Sequence, residues 1–424
     1  MIVPSIDLMQ GQAVQLVGGR EKALDAGDPR PIAGQFRLAG EIAVVDLDAA
    51  LGRGSNSTLI RELLRIAPCR VGGGIRSVEA ARAWLDAGAT QVVLGTAAVR
   101  EVLAALPRER VVAALDAVDG EVVVDGWRTR TGRDVFDAMQ DLRDLVGGFL
   151  VTFVEREGRL QGSDLGRAEK LRAAAGDVRL TVAGGITTVD EVAALDRLDI
   201  DAQVGMALYT GRLELADAIA APLTSDRPDG LWPTVVTDER GAALGLAWSS
   251  GESLRAAVRE RAGIYHSRTR GLWRKGATSG ATQELLRIGL DCDRDTLRFT
   301  VRQHGPGFCH RGTRTCWGDM GGLGTLARRL EERRRAAPDG SYTRRLFDDA
   351  VLLRSKLVEE ARELALAGTR DEVIGEAADV LYFTLAALTK AGVPLEEVEA
   401  ELDRRSLRVT RRRGDAKPSE EPPS

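Results

Sequence analysis

The sequence predicts a multidomain chain: a (β/α)8 TIM barrel of two half-barrel repeats, then a small α+β zinc-containing domain, then an all-α helical domain. Three observations predict it. From 1 to 221, short Val/Ile/Leu-rich runs alternate with Ala/Leu/Arg-rich helical stretches. Between 231 and 318, strand signals surround Cys292, Cys309 and Cys316. From 325 to 408 the pattern is purely helical. The Pro-containing stretch 222–230 and the Gly-rich 319–324 read as linkers, and 409–424, rich in Arg, Lys, Glu and Pro, as a disordered tail.

The barrel follows from buried runs such as Ile42-Ala43-Val44-Val45, Gln91-Val92-Val93-Leu94 and Val111 to Leu115, apolar on both faces as parallel strands are. A repeat supports it. Asp7 and Asp116 lie 109 residues apart, Ile75 and Ile186 lie 111 apart, and Gly95 and Gly205 lie 110 apart. One shared offset pairs strands 1, 3 and 4 with strands 5, 7 and 8. Asp7 and Asp116 then end strands on opposite sides of the active-site face, an arrangement suited to general acid and base work. The turns at Gly72-Gly73-Gly74, Gly95, Gly184-Gly185 and Gly205 let backbone N–H groups approach phosphate, so two symmetric cradles imply a substrate phosphorylated at each end. A single Gly-Gly turn is usually only a tight loop; the symmetric set argues otherwise.

In the middle module, Asp291, Asp293 and Asp295 flank Cys292 at alternate positions. On a strand they would share one face and offer three oxygens to Mg²⁺, with Cys292 on the other. Cys292, Cys309 and Cys316 leave one position of a tetrahedral Zn²⁺ open for an acidified water, which is a hydrolytic site; a structural zinc knuckle is the rival. In the helical module, Glu359, Glu360 and Glu363 share one predicted helix, and Glu376 and Asp379 lie three apart on the next. Antiparallel packing would gather their charges around Mg²⁺. The bland alternative is a solvated, charge-rich face.

The net charge of −4 and mixed-sign helices argue against nucleic acid, no apolar run is long enough to span a membrane, and the N-terminus lacks a signal peptide. A soluble, cytoplasmic protein is expected.

Residues 1–220 resemble the histidine-pathway isomerase that performs an Amadori rearrangement (ProFAR isomerase). The likeness rests on Pro4-Ser5-Ile6-Asp7-Leu8, Val45-Asp46-Leu47-Asp48, Gly72 to Arg76, Val124-Asp125-Gly126-Trp127 and Ala183 to Ile186. The resemblance implies Asp7 as base, Asp116 as acid, Thr152 as helper hydroxyl, and Arg20 and Trp127 on loops over the substrate. Asp48, Gly74, Arg76, Gly95, Gly184, Gly185 and Gly205 complete the implied substrate contacts. The sister cyclase barrel is the runner-up, but it usually carries Cys where this chain has Ser5. Val154 to Gly158 departs from the family, which carries Asp residues there.

Residues 230–318 resemble phosphoribosyl-AMP cyclohydrolase through Tyr265 to Arg268, Leu272 to Gly276, Thr278-Ser279-Gly280 and the metal segment. The likeness implies Zn²⁺ on the three cysteines and Mg²⁺ on the three aspartates. It also implies His310 as proton carrier, Arg274, Lys275, Ser279 and Gly280 at the substrate, and a homodimer. Ala277, Ala281 and Arg311 depart from the family pattern, so a decayed structural cyclohydrolase module is kept as the alternative. Residues 325–407 resemble phosphoribosyl-ATP pyrophosphatase through Glu359-Glu360-x-x-Glu363 and Glu376-x-x-Asp379. Together the resemblances imply a trifunctional histidine-biosynthesis enzyme acting on phosphoribosylated nucleotides, with Zn²⁺ and Mg²⁺ as cofactors.

Overall fold

The computed structural model describes residues 1–410 and 414 apart from Arg20, Asp125 and Asp339. Arg20 and nearly all of the tail from 411 therefore lie outside the described residues. The described residues form two compact units, residues 1–305 with 405–410, and residues 306–404. This division falls inside the predicted middle module.

Eight parallel strands close the barrel: β1 Ile2–Met9, β2 Ile42–Asp46, β3 Cys69–Gly72, β4 Gln91–Leu94, β5 Val111–Val118, β6 Gly148–Phe153, β7 Arg179–Ala183 and β8 Ile200–Val204. β8 returns to β1 with Ile2 beside Ala202, and β5 meets β6 with Asp116 beside Thr152. Val112, Leu150 and Ala183 pack together in a buried cluster with Val93 and Ala114. Arg70, buried on β3, donates to Thr181 on β7 at 2.9 Å and pairs with Glu41 at 2.7 Å. Burial opposes the charge of Glu41, but Arg70 and Arg179 outweigh it and keep that carboxyl below its usual range. Arg70 and Thr181 are 111 residues apart, so the repeat offset appears as a contact.

The repeat extends further than the sequence reading reaches. β1 leads into a hairpin of Gln12–Val17 and Glu21–Gly27, and β5 into one of Glu121–Val124 and Thr129–Asp134. Both half-barrels thus carry the same kind of excursion at the mouth.

Behind the barrel in the first unit is a six-stranded sheet: β9 Trp232–Thr237, β10 Ala243–Ser249, β11 Ile264–Ser267, β12 Gly271–Arg274, β13 Gln283–Leu290 and β14 Leu297–Gln303, in the order β12-β11-β10-β9-β14-β13. The β9–β14 pair is parallel and the others antiparallel. Its helix Gly251–Glu260 begins in a capping box of Ser250 and Ser253. That helix meets the barrel through Gln35, which donates to the Val258 carbonyl at 2.8 Å, and through Arg255 on Asp217 at 2.7 Å.

The second unit is helical from Leu323 onward. Its central pair is α1 Ala350–Leu366, capped by Asp349, and α2 Arg370–Ala391, opened by a Thr369–Glu372 capping box and ended by Gly392 at φ +71°. Leu346, Leu353, Phe383 and Ala386 form the buried seam. Among the described residues no helix is long and apolar enough to cross a membrane.

Candidate functional sites

A cavity of about 310 Å³ opens at the C-terminal ends of the barrel strands. Asp7, Asp116, Thr152, Gly74, Arg76, Gly95, Trp127, Gly184, Gly185 and Gly205 all line it. Burial pushes the Asp7 carboxyl up to about 7. Burial also raises Asp116, partly offset by hydrogen bonds from the Thr152 hydroxyl and the Trp127 side chain. The cavity therefore holds one carboxyl poised near neutrality opposite a second whose proton is retained above the usual range.

The glycine turns are matched. A side chain at Gly73 would come within 2.3 Å of the Asp46 carbonyl, and one at Gly184 within 2.6 Å of the Phe153 carbonyl. Both have φ near +90°, which glycine alone adopts without strain. These turns abut the ends of β2 and β6, equivalent strands of the two halves. At the mouth, the Trp127 ring lies against Gly19, where a Cβ would fall 2.5 Å from the indole.

The structure adds Glu157, which lines the same cavity. Burial, then the charges of Asp7 and Asp116, push its carboxyl up to about 8. It is held there through its backbone: Gly18 N donates to the Glu157 carbonyl at 3.2 Å, and Gly158 packs so tightly on Leu16 that a Cβ would meet its carbonyl at 2.4 Å. The Glu157-Gly158 pair, in the loop that breaks the expected family pattern, is the signal that could have found it. Asp48 is not brought to this cavity. Its carboxylate accepts from Gln10 N at 2.6 Å and Asn56 Nδ2 at 3.0 Å, which gives it a structural task beside β1.

Asp291, Asp293 and Asp295 come together, with one carboxylate oxygen from each within 4.8 Å of the others. They do so on a turn between β13 and β14 and not on a strand, which corrects the alternating-face expectation. Asp291 accepts from the N–H groups of Asp295 and Thr296, both at 3.1 Å, and Arg294 takes φ +63°. This reversal folds the acidic run back on itself. Burial opposes the charge of Asp291, but hydrogen bonds from the backbone and side chains of Thr296 and Asp295 outweigh it and hold that carboxyl low. Such an oxygen set fits a hard divalent cation.

Among the described residues, Cys292, Cys309 and Cys316 form no disulfide. Cys292 belongs to the first unit; Cys309, His310 and Cys316 belong to the second. The Arg311 backbone N–H, then Thr313 and Cys316, lower the Cys309 pKa, favouring the thiolate that a metal requires. Lys275 is buried, and Ser279, Gly280 and Ala281 share its turn, closed by Gly280 N on the Gly276 carbonyl at 2.9 Å. Arg274 forms an ion pair with Glu260.

In the second unit, Glu360 and Glu363 of α1 meet Glu376 of α2 with ligand oxygens within 4.8 Å. Burial, then Glu363, Glu360 and Asp379, raises the Glu376 pKa, the like-charge crowding that a cation relieves. Glu359 is exposed and not in this trio; Lys356 pairs with it at 2.9 Å and with Glu360 at 2.7 Å.

The family model described as "Histidine biosynthesis protein" matches residues 1–214. Phosphoribosyl-AMP cyclohydrolase matches 245–318, and phosphoribosyl-ATP pyrophosphohydrolase matches 323–406. A histidine biosynthesis trifunctional protein of Neurospora crassa is 40% identical over 341 residues, 78% of this chain and 36% of that protein. One of Komagataella pastoris is 48% identical over 242 residues, 57% of this chain and 28% of that protein. This chain thus spans about a third of these fungal relatives. An imidazole-4-carboxamide isomerase of Gemmatimonas aurantiaca is 40% identical over 225 residues, 50% of this chain and 94% of that protein. Through its barrel the chain belongs to the histidine biosynthesis protein family, and the cyclohydrolase and pyrophosphohydrolase segments follow in order behind it.

Proposed function

We propose that the chain carries three consecutive activities of histidine biosynthesis: phosphoribosyl-ATP hydrolysis with release of pyrophosphate, hydrolytic opening of the adenine ring of phosphoribosyl-AMP, and aldose–ketose isomerisation of the product. The observation that carries the reading is the opposed pair Asp7 and Asp116 inside one cavity, between two matched glycine cradles. Each cradle would bind one terminal phosphate and so lay the substrate across the barrel. Asp7, near neutrality, removes the C2′ proton; Asp116, with Thr152 beside it, donates a proton as the aminoaldose ring opens. Glu157 supplies a third carboxyl, protonated at neutral pH, within the same walls.

For the ring opening, Cys292, Cys309 and Cys316 would hold Zn²⁺ and Asp291, Asp293 and Asp295 Mg²⁺. Zinc, when bound, supplies an acidified water. Lys275 and Arg274 would meet substrate phosphate, and His310 would carry a proton. For pyrophosphate release, Glu360, Glu363 and Glu376, with Asp379 and Glu359 at the margin, would hold Mg²⁺ against the polyphosphate. A homodimer accompanies this reading. In its support, Val351, Val358 and Leu366 leave an exposed apolar stripe along α1, and Ile374 and Leu381 along α2.

The test is to incubate the Zn²⁺- and Mg²⁺-loaded chain with phosphoribosyl-ATP and resolve the products. Accumulation of the isomerised ketose is expected. Arrest at phosphoribosyl-AMP would favour a structural cyclohydrolase module, the reading motivated by Ala277, Ala281 and Arg311.

A further inference from the structure

Arg294 sits inside the acidic run, yet its side chain leaves it. Nε and Nη2 donate to the two oxygens of Asp196 at 2.9 and 3.2 Å, a bidentate grip. Asp196 lies near the end of the helix Val189–Arg197, on the barrel face opposite the cavity, and also accepts from the Met1 ammonium at 2.9 Å. The third guanidinium nitrogen, Nη1, donates back to the Asp291 carbonyl at 2.8 Å. The Arg294 carbonyl accepts from Thr224 N at 2.7 Å, in the segment joining barrel to sheet. Arg294 is thus held from three sides in the left-handed conformation that reverses the turn, an unfavourable φ for a long side chain without such support.

We propose that the isomerase barrel positions the cation-binding turn of the module behind it: Asp196 grips Arg294, and Arg294 holds Asp291, Asp293 and Asp295 in register. Arg294 and Asp196 are positioning residues, since neither is among the proposed ligands. The inference rests on the reading of the turn as a divalent-cation site. It makes the barrel a structural part of the second activity and ties that activity to the fusion.

The experiment uses the full chain with Mn²⁺ as probe, in a Glu363→Gln/Glu376→Gln background that silences the helical cluster. Mn²⁺ affinity is read by paramagnetic resonance, alongside isomerase turnover of the same samples. Arg294→Ala and Asp196→Ala should each weaken Mn²⁺ binding about tenfold, as loss of an outer-shell partner does. The double variant should be no weaker than Arg294→Ala, because the two act through one contact. Arg294→Lys, which keeps the charge but not the fork, should fall between. Isomerase turnover should hold in all of them, which reports an intact barrel. Unchanged Mn²⁺ affinity in Arg294→Ala, or additive losses in the double variant, would overturn the proposal. If Asp293→Asn also leaves Mn²⁺ affinity unchanged, the cation-site reading itself is wrong. If Asp293→Asn weakens binding and Arg294→Ala does not, only the positioning role falls.

Discussion

Two regions of this molecule each gather three carboxyl groups, one in a walled cavity and one on a more open helical face. In the barrel, Asp7, Asp116 and Glu157 are raised first by burial in a walled cavity. Between α1 and α2, Glu376 is raised by burial and then by three neighbouring carboxylates in a more open setting. A buried carboxyl that keeps its proton is a proton donor or a base poised near neutrality. A crowded set with free lone pairs is a cation seat. The same residue type is thus sorted into acid–base chemistry or cation binding by its surroundings.

The comparison breaks most sharply at Asp7. Asp7→Asn and Asp116→Asn should each reduce isomerisation about 10³-fold, while phosphoribosyl-ATP hydrolysis by the second unit is unchanged. Product analysis from both substrates checks this. Loss of every activity would mean that the aspartates support the fold and not the chemistry.

Glu376→Gln should act in the mirror sense. It should reduce pyrophosphate release about 100-fold and leave the barrel untouched, with Mg²⁺ titration showing weaker half-saturation. If raised Mg²⁺ does not restore any rate and half-saturation stays put, Glu376 is not a cation ligand.

How much of this was legible depends on whether a residue's task is set locally. Asp7 and Asp116 were readable because strand-end position and a repeat offset fix where their side chains point. The carboxylates of α1 and α2 were readable from helical spacing, although spacing gave no way to separate the exposed Glu359 from the buried Glu360, both of which Lys356 reaches. Glu157 was not legible, because its place in the cavity depends on Gly158 packing against Leu16, a contact 142 residues away in sequence. Asp48 shows the converse: the resemblance offered it as a substrate contact, but it sits in the short helix Leu47–Ala50, where Asn56 and the Gln10 N–H take its oxygens. At 291–295 the composition was informative and the periodicity was not. Alternation assumes an extended backbone, whereas Asp291 accepting from Asp295 and Thr296 makes a turn.

The smallest expected effect sharpens the comparison within the barrel itself, at Glu157. Isomerase kcat/KM should rise with pH as Asp7 ionises near 7 and fall as Glu157 ionises near 8. Glu157→Gln should lower the maximum about tenfold and remove the decline near 8, because glutamine does not titrate. A decline that persists unchanged would mean that Glu157 does not set the alkaline limb. The same variant has a stability signature with a fixed sign. The folded carboxyl titrates near 8 and the unfolded one near its ordinary 4.5, so the folded state keeps a proton that the unfolded chain has released. Wild-type stability is therefore undiminished below 4.5 and is lost as pH rises toward 8. Glu157→Gln should raise the Tm of the barrel unit at about pH 9 and leave it unchanged at about pH 4. A Tm difference that is the same at both pH values would mean that the glutamine alters packing, and that burial is not what raises the Glu157 carboxyl.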